Sequence, residues 1–162
     1  MSVRNCFILV FLAFFTIIPL SAATVSFLVI ETGLEMDAGF NQHSGLWENG
    51  LLDVFFDSGH IVSNAPILRL EQRPTEIFPP QAQGDLDDAV EGGVEYFIVA
   101  LLEFQNSGAT GLWPGQVSLR LFRVQPFELL YEHKYSDTGP SGVNEERNSI
   151  RQAVRVLIPR VK

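Results

Sequence analysis

Val94-Glu95-Tyr96-Phe97-Ile98-Val99-Ala100-Leu101-Leu102-Glu103-Phe104 is the run on which the fold turns. It is almost unbroken in apolar side chains and follows Gly92-Gly93. A strand without a polar side has to be covered on both faces, which places it inside a sheet rather than at its rim. Thr24-Val25-Ser26-Phe27-Leu28-Val29-Ile30-Glu31 has the same character. The two runs therefore read as neighbouring central strands.

The other elements arrange themselves around that pair. Ser44 to Ser58 predicts a helix capped by Ser44 and ended by Gly59 in a left-handed turn. Trp47, Leu51, Val54 and Phe55 recur at helical spacing, Leu52 and Phe56 widen the apolar face, and Glu48, Asn49, Asp53 and Asp57 lie opposite. Gly50 costs such a helix about 1 kcal/mol against alanine, which points to close approach to a neighbouring strand. His60 to Asn64 and Ile67 to Glu71 are strand-like, with Pro66 breaking the run. Residues 71–84, holding Pro74, Pro79 and Pro80, read as a linker, and Asp85 to Glu91 as a short helix capped by Asp85.

Asn106 to Gly115 reads as a glycine-rich loop carrying Trp113-Pro114. Val117 to Val124 and Leu129 to Tyr135 alternate and make a hairpin, with Leu129, Tyr131, His133 and Tyr135 on one side. Asn144 to Ile158 predicts a final helix with Ile150, Ala153, Val154 and Leu157 inside and Arg147, Arg151 and Arg155 outside. Glu145 and Glu146 suit its positive end and Arg155 its negative end. This order gives a single α/β (α+β) two-layer sandwich, with a mixed sheet of about four or five strands, two main helices and one short helix.

Ahead of the domain, Arg4, the apolar run Phe7 to Leu20 and the small residues Ser21-Ala22-Ala23 read as a secretory signal, residues 1–23, cleaved after Ala23. The alternative is an uncleaved inner-membrane anchor, since Thr24 to Ile30 extends the apolar run. Cleavage would remove Cys6, the only cysteine, and with it disulfides, zinc thiolates and cysteine nucleophiles. Residues 24–162 would then form one domain in the periplasm or outside the cell, with no membrane span. The composition of 46% hydrophobic and 19% charged residues is that of a globular protein. Nineteen acidic against 11 basic residues, a net charge of −8, repel phosphate and argue against nucleic acid.

The sequence also resembles a known module. The helix ending Asp57-Ser58-Gly59 before His60-Ile61-Val62-Ser63-Asn64, the run Ala89-Val90-Glu91-Gly92-Gly93-Val94-Glu95-Tyr96-Phe97-Ile98-Val99, and the hairpin strand Val117-Ser118-Leu119-Arg120-Leu121-Phe122-Arg123-Val124 carry the likeness. It is similar to the small α/β envelope module of curli-secretion lipoproteins, of lipoprotein activators of penicillin-binding proteins, and of the N-terminal domain of the Tol–Pal translocation protein. The resemblance spans most of residues 24–158. It implies a non-enzymatic, protein-binding component of the bacterial cell envelope, and it brings no catalytic residue. Three departures stand out: no lipobox cysteine, no propeller after the module, and no channel-forming amphipathic hairpin.

The residues themselves offer little chemistry. His43, His60 and His133 are never three or four apart, and no HExxH occurs. His133 is expected in the core. Asp85, Asp87, Asp88, Glu91 and Glu95 lack the glycine that a calcium loop needs at its sixth position, where Val90 stands. Glu31, Glu35, Asp37 and His43 follow a strand end, where α/β proteins bind ligands. They support the alternative reading of a small exported ligand-binding protein or hydrolase. No motif for a nucleophile elbow, a dinucleotide turn or a P-loop appears, so no cofactor, metal or catalytic residue is assigned. The candidate partner-binding residues are Trp113, Phe78 and the arginine stripe Arg147, Arg151 and Arg155, facing envelope proteins or a second copy of the chain.

Overall fold

The computed structural model describes residues 22–35, 41–106, 112–136 and 142–162. The leader up to Ser21, Asp37, and residues 107–111 of the expected loop lie outside the described residues. The elements in chain order are β1 (Thr24–Thr32), α1 (Gln42–Asp57), β2 (Ile61–Asn64), β3 (Leu68–Leu70), α2 (Gln83–Glu91), β4 (Tyr96–Asn106), β5 (Leu112–Arg123), β6 (Glu128–Ser136) and α3 (Val143–Arg155).

The two apolar runs do lie side by side. β1 and β4 pair in parallel from Val25↔Tyr96 to Thr32↔Glu103. On the other flank of β1, β2 pairs with Thr24–Phe27 and β3 with Ile30–Thr32, both in parallel. Ala65-Pro66-Ile67 interrupts the ladder without changing the neighbour, as a proline without an N–H must. β5 runs antiparallel to β4, and β6 antiparallel to β5. The result is a mixed open sheet in the order β2-β1-β4-β5-β6, with β3 beside β2 on β1.

Because side chains alternate along a strand, each central strand feeds two cores. Val25, Phe27 and Val29 join Ile98, Ala100 and Leu102 on one face, under α1 and α3. Leu28 and Ile30 join Phe97, Val99 and Leu101 on the other, under α2, Ala82 and Phe78. The fold is thus the expected α/β sandwich with its two main helices on one face, and the short helix lies on the second.

Several boundaries differ from the sequence reading. α1 begins two residues early, because the Asn41 side chain, not Ser44, caps it by accepting the His43 N–H at 2.9 Å. Ser44 is buried inside the helix instead. Gly59 ends the turn with φ +83°, as expected. Gly50 does mark a close approach, but to a helix rather than a strand: a Cβ there would overlap Cγ2 of Ile150 on α3. α2 starts at Gln83, fed by a 3-10 turn at Pro80–Ala82, so Asp85 lies in its first turn and caps nothing.

The expected loop before the hairpin is shorter, because β5 already includes Trp113 and Pro114. The β4–β5 register shifts at Glu103/Phe104, where Gly115 is skipped. A second shift at Leu121/Phe122 leaves Leu130 unpaired on β6. One extra residue reverses the alternation. Leu129 therefore packs on the second face, while Leu130, Tyr131 and Tyr135 pack on the first. Ile150, Ala153 and Val154 are buried on α3 as expected, and Leu157 is buried in the turn beyond it, since the helix stops at Arg155 rather than Ile158. Glu146, at the helix start where it suits the macrodipole, is buried too.

Candidate functional site

The carboxyl ends of β1, β3 and β4 are where a parallel sheet offers backbone and side chains to a ligand. Glu31 stands there at the end of β1, almost fully buried. Its register partner on β3 is Arg69, and the pairing is direct: Arg69 Nη2 and Nε donate to Glu31 Oε2 at 2.6 and 2.9 Å. Arg69 also donates to the Glu35 carbonyl at 3.2 Å, while the Glu35 side chain points into solvent. A buried carboxylate is tolerable only with such a partner. The chain leaves β1 through Gly33 at φ +80°, where a Cβ would collide with the Phe104 carbonyl.

Next to this pair is an open hollow of about 690 Å³, lined by Arg69, Arg73, Thr75, Glu76, Pro80 and Gln81 among others. Both arginines already hold carboxylates: Arg73 reaches Glu103 at 3.1 Å. The hollow therefore presents guanidinium groups whose charge is met within the chain.

His43 sits elsewhere, on the first turn of α1. Its Nδ1 lies 2.8 Å from Glu146 Oε1 on α3, joining the starts of the two helices. The Trp113 ring stands edge-on to the imidazole with centroids 4.7 Å apart, and Phe104 lies at 6.5 Å. Trp113 Nε1 is buried without a hydrogen-bond partner among the described residues. The four groups of the ligand-binding or hydrolase reading thus go to different partners: Glu31 to Arg69, His43 to Glu146, and Glu35 to solvent, with Asp37 outside the described residues. His133 is half-buried on the edge strand β6, stacked on Tyr131 at 6.5 Å, rather than in the core.

The candidate partner-binding residues divide in the same way. Trp113 is half-buried against His43. Phe78 packs edge-on to Phe97, Phe122 and Phe127 at 5.3–6.1 Å and covers the sheet. Arg151 reaches Asp57 at 2.8 Å and Asp53 at 3.7 Å on α1, so it ties the helices together. Arg147 and Arg155 are exposed, and Arg160 lies 4.8 Å over the Tyr131 ring. Among the described residues, no group of three metal-binding side chains occurs and no helix is long and apolar enough to cross a membrane.

Sequence reasoning missed Arg69, Glu146 and Arg120. Arg120 points into the second face, where Nε binds Glu132 at 2.9 Å and Nη1 donates to the Ile77 carbonyl at 2.8 Å. The signal was available for Arg120, which shares its side of the strand with the apolar Phe122 and Val124. For Arg69 and Glu146 it was not, since their partners lie 38 and 103 residues away.

No family model and no curated protein matches the chain. Solved structures do. The PelC dodecamer from Paraburkholderia phytofirmans superposes with a TM-score of 0.52 at 17% identity, over 85% of this chain and 86% of that one. A variant of the same dodecamer gives 0.53 at 16% identity, over 85% and 87%. The LpoB C-terminal domain from Salmonella enterica gives 0.43 at 13% identity, over 73% and 85%. The α/β fold that the resemblance implies is thereby matched by the PelC structures, at the level of the fold.

Proposed function

We infer that the chain is a non-enzymatic, protein-binding component of the bacterial cell envelope, exported by residues 1–23 and acting in the periplasm or outside the cell. The observation that carries this reading is the superposition on PelC across nearly the whole domain. The neighbours with this fold are envelope-associated proteins. Two features of the chain support it. Its buried charged groups on the helix-covered face are consumed by internal pairs, Glu31 with Arg69 and Glu146 with His43. Two of its exposed cations, Arg147 and Arg155, stand on one helix at the surface.

PelC was solved as a dodecamer, and self-association is part of this proposal. The sheet ends in two open edges, β2 and β6, and unpaired strand edges are ready templates for another chain. Near the β2 edge, Phe56 and Ile61 are 71% and 63% exposed. The test combines two measurements on protein recovered from the envelope fraction. Light scattering gives the oligomeric state, and affinity capture followed by mass spectrometry gives partners for wild type and for Arg147→Glu/Arg155→Glu. The reading expects a defined oligomer or a partner lost in the double variant. A strict monomer that captures the same set of proteins as an unrelated control overturns it. N-terminal sequencing of the same sample locates the cleavage site.

A further inference from the structure

We propose that a pocket between α2 and the β1–β2 flank of the sheet binds a guanidinium head group. Ser26 on β1 and Ser63 on β2 are register partners, so both side chains leave the same face of the sheet. That is the face covered by α2. Asp85 and Asp88, one helical turn apart on α2, look back at the serines across a pocket of about 280 Å³ whose apolar walls include Pro66 and Ala89.

Three observations point to a cationic occupant. Ser26 is only 6% exposed and lines the pocket, yet its hydroxyl has no hydrogen-bond partner among the described residues. Neither Asp85 nor Asp88 belongs to an ion pair among the described residues, although Asp87 beside them is held by Gln83 at 2.8 Å. The Asp85 carboxyl is pushed above its ordinary range, first by burial and then by the charge of Asp88. Two acids stand together there, and neither is paired with a positive group among the described residues.

The kind of cation follows from counting. A hard divalent metal wants about six to eight oxygen ligands, and a lone carboxylate pair leaves most of that shell to water. The pocket, at about 280 Å³, is also larger than a bare ion needs. A guanidinium carries five donors in a planar fork and pairs with carboxylates in that geometry. Two carboxylates and two hydroxyls supply acceptors for them, and Pro66 and Ala89 offer apolar surface to an alkyl stem. An ammonium, with three donors, would use fewer of these acceptors. The reading stands apart from the envelope function, since it rests only on this pocket.

The experiment titrates the purified chain, in low salt at neutral pH, with agmatine, with acetyl-Gly-Arg-Gly-amide, with n-butylamine and with calcium chloride, followed by amide NMR. The expected result is saturable shifts at Ser26, Ser63 and Asp88 with one or both guanidines, and weaker ones with the amine. Agmatine binding more tightly would identify a free alkylguanidine as the source, and the peptide binding more tightly an arginine side chain. Asp88→Asn should weaken binding about tenfold or more, and Ser26→Ala by less. Circular dichroism checks that both variants stay folded. No saturable shift at these amides overturns the proposal. So does n-butylamine matching the guanidines, calcium binding more tightly than either, or unaltered binding in folded Asp88→Asn.

Discussion

The two faces of the sheet are sealed by different means. On the first, α1 and α3 lie against each other so closely that Gly50 has no room for a Cβ beside Ile150. On the second, only nine residues of α2 and an irregular strap, residues 71–82, span the apolar strands. The strap is pinned by Phe78 in its aromatic cluster and by Arg120, which donates to the Ile77 carbonyl. A helix satisfies its own backbone and can seal by periodicity alone. A strap cannot, so a side chain beneath it has to supply hydrogen bonds to its carbonyls.

Deleting one aromatic ring from each face tests that contrast, and it carries the largest expected effects. Phe55, fully buried on the inner side of α1, should cost about 3–5 kcal/mol as Phe55→Ala. Phe78, half-buried in the strap, should cost about 1.5–3 kcal/mol as Phe78→Ala. Urea unfolding measures both. Hydrogen exchange adds a readout of locality: Phe78→Ala should speed exchange in 71–82 while α1 and α3 stay protected. Equal global losses would mean that the strap is as integral as the helices.

The pair that staples α1 to α3 comes next. His43→Ala removes a hydrogen bond to the buried Glu146 carboxylate and should cost about 1.5–3 kcal/mol. Trp113→Phe offers the counter-test, because it deletes a buried N–H that has no partner among the described residues while keeping a ring against His43. Its cost should stay well below that of His43→Ala.

Gly50 gives a smaller, sharper effect. Gly50→Ala gains about 1 kcal/mol of helix propensity but forces a methyl into Ile150, at about 1–3 kcal/mol for overpacking. The net should be a loss of about 1 kcal/mol. Ile150→Leu moves the branch that blocks the site, so the double variant should lose less than the sum of the singles. Strict additivity would mean that the helices simply move apart.

These two faces also differ in how far they could be read from the chain. Periodicity in Trp47, Leu51, Val54 and Phe55, and in Ile150, Ala153, Val154 and Leu157, names the first face correctly because helical spacing is local. The strap carries no period, only Pro74, Pro79 and Pro80, and so reads as a linker although Phe78 covers the sheet. Alternation groups Leu129 with Tyr131 and Tyr135, and nothing before it announces the bulge at Leu130 that sends it to the other face. The ion pairs escaped for a related reason: Glu146 at a helix start satisfies the macrodipole rule, and only the tertiary fold brings His43 to it.

Surface pairs mark the low end. Arg151→Ala breaks contacts to Asp53 and Asp57 that are half-exposed, and such pairs are worth about 1 kcal/mol or less. Raising salt should shrink the difference from wild type. Arg147→Ala, at an exposed position on the same helix, should leave the unfolding midpoint unchanged within error.

The smallest effect is one of slope. His60 follows the end of α1, with its ring 5.8 Å from Phe55 and Nδ1 buried without a partner among the described residues. Burial lowers its pKa from the ordinary 6.5, and Glu95 works in the opposite direction. The unfolded chain therefore takes up this proton before the folded one does. Stability from His60 is whole above pH 6.5. It declines as the pH falls through 6.5 toward the lowered value, and is flat below both. Unfolding midpoints measured from about pH 8 to about pH 5, the range in which histidine titrates, should fall less steeply in His60→Gln than in wild type. Parallel curves would show that the imidazole charges as easily in the folded chain as in the unfolded one. The packing of Phe55 would then stop short of the turn, and the tight sealing of the first face would end with α1 itself.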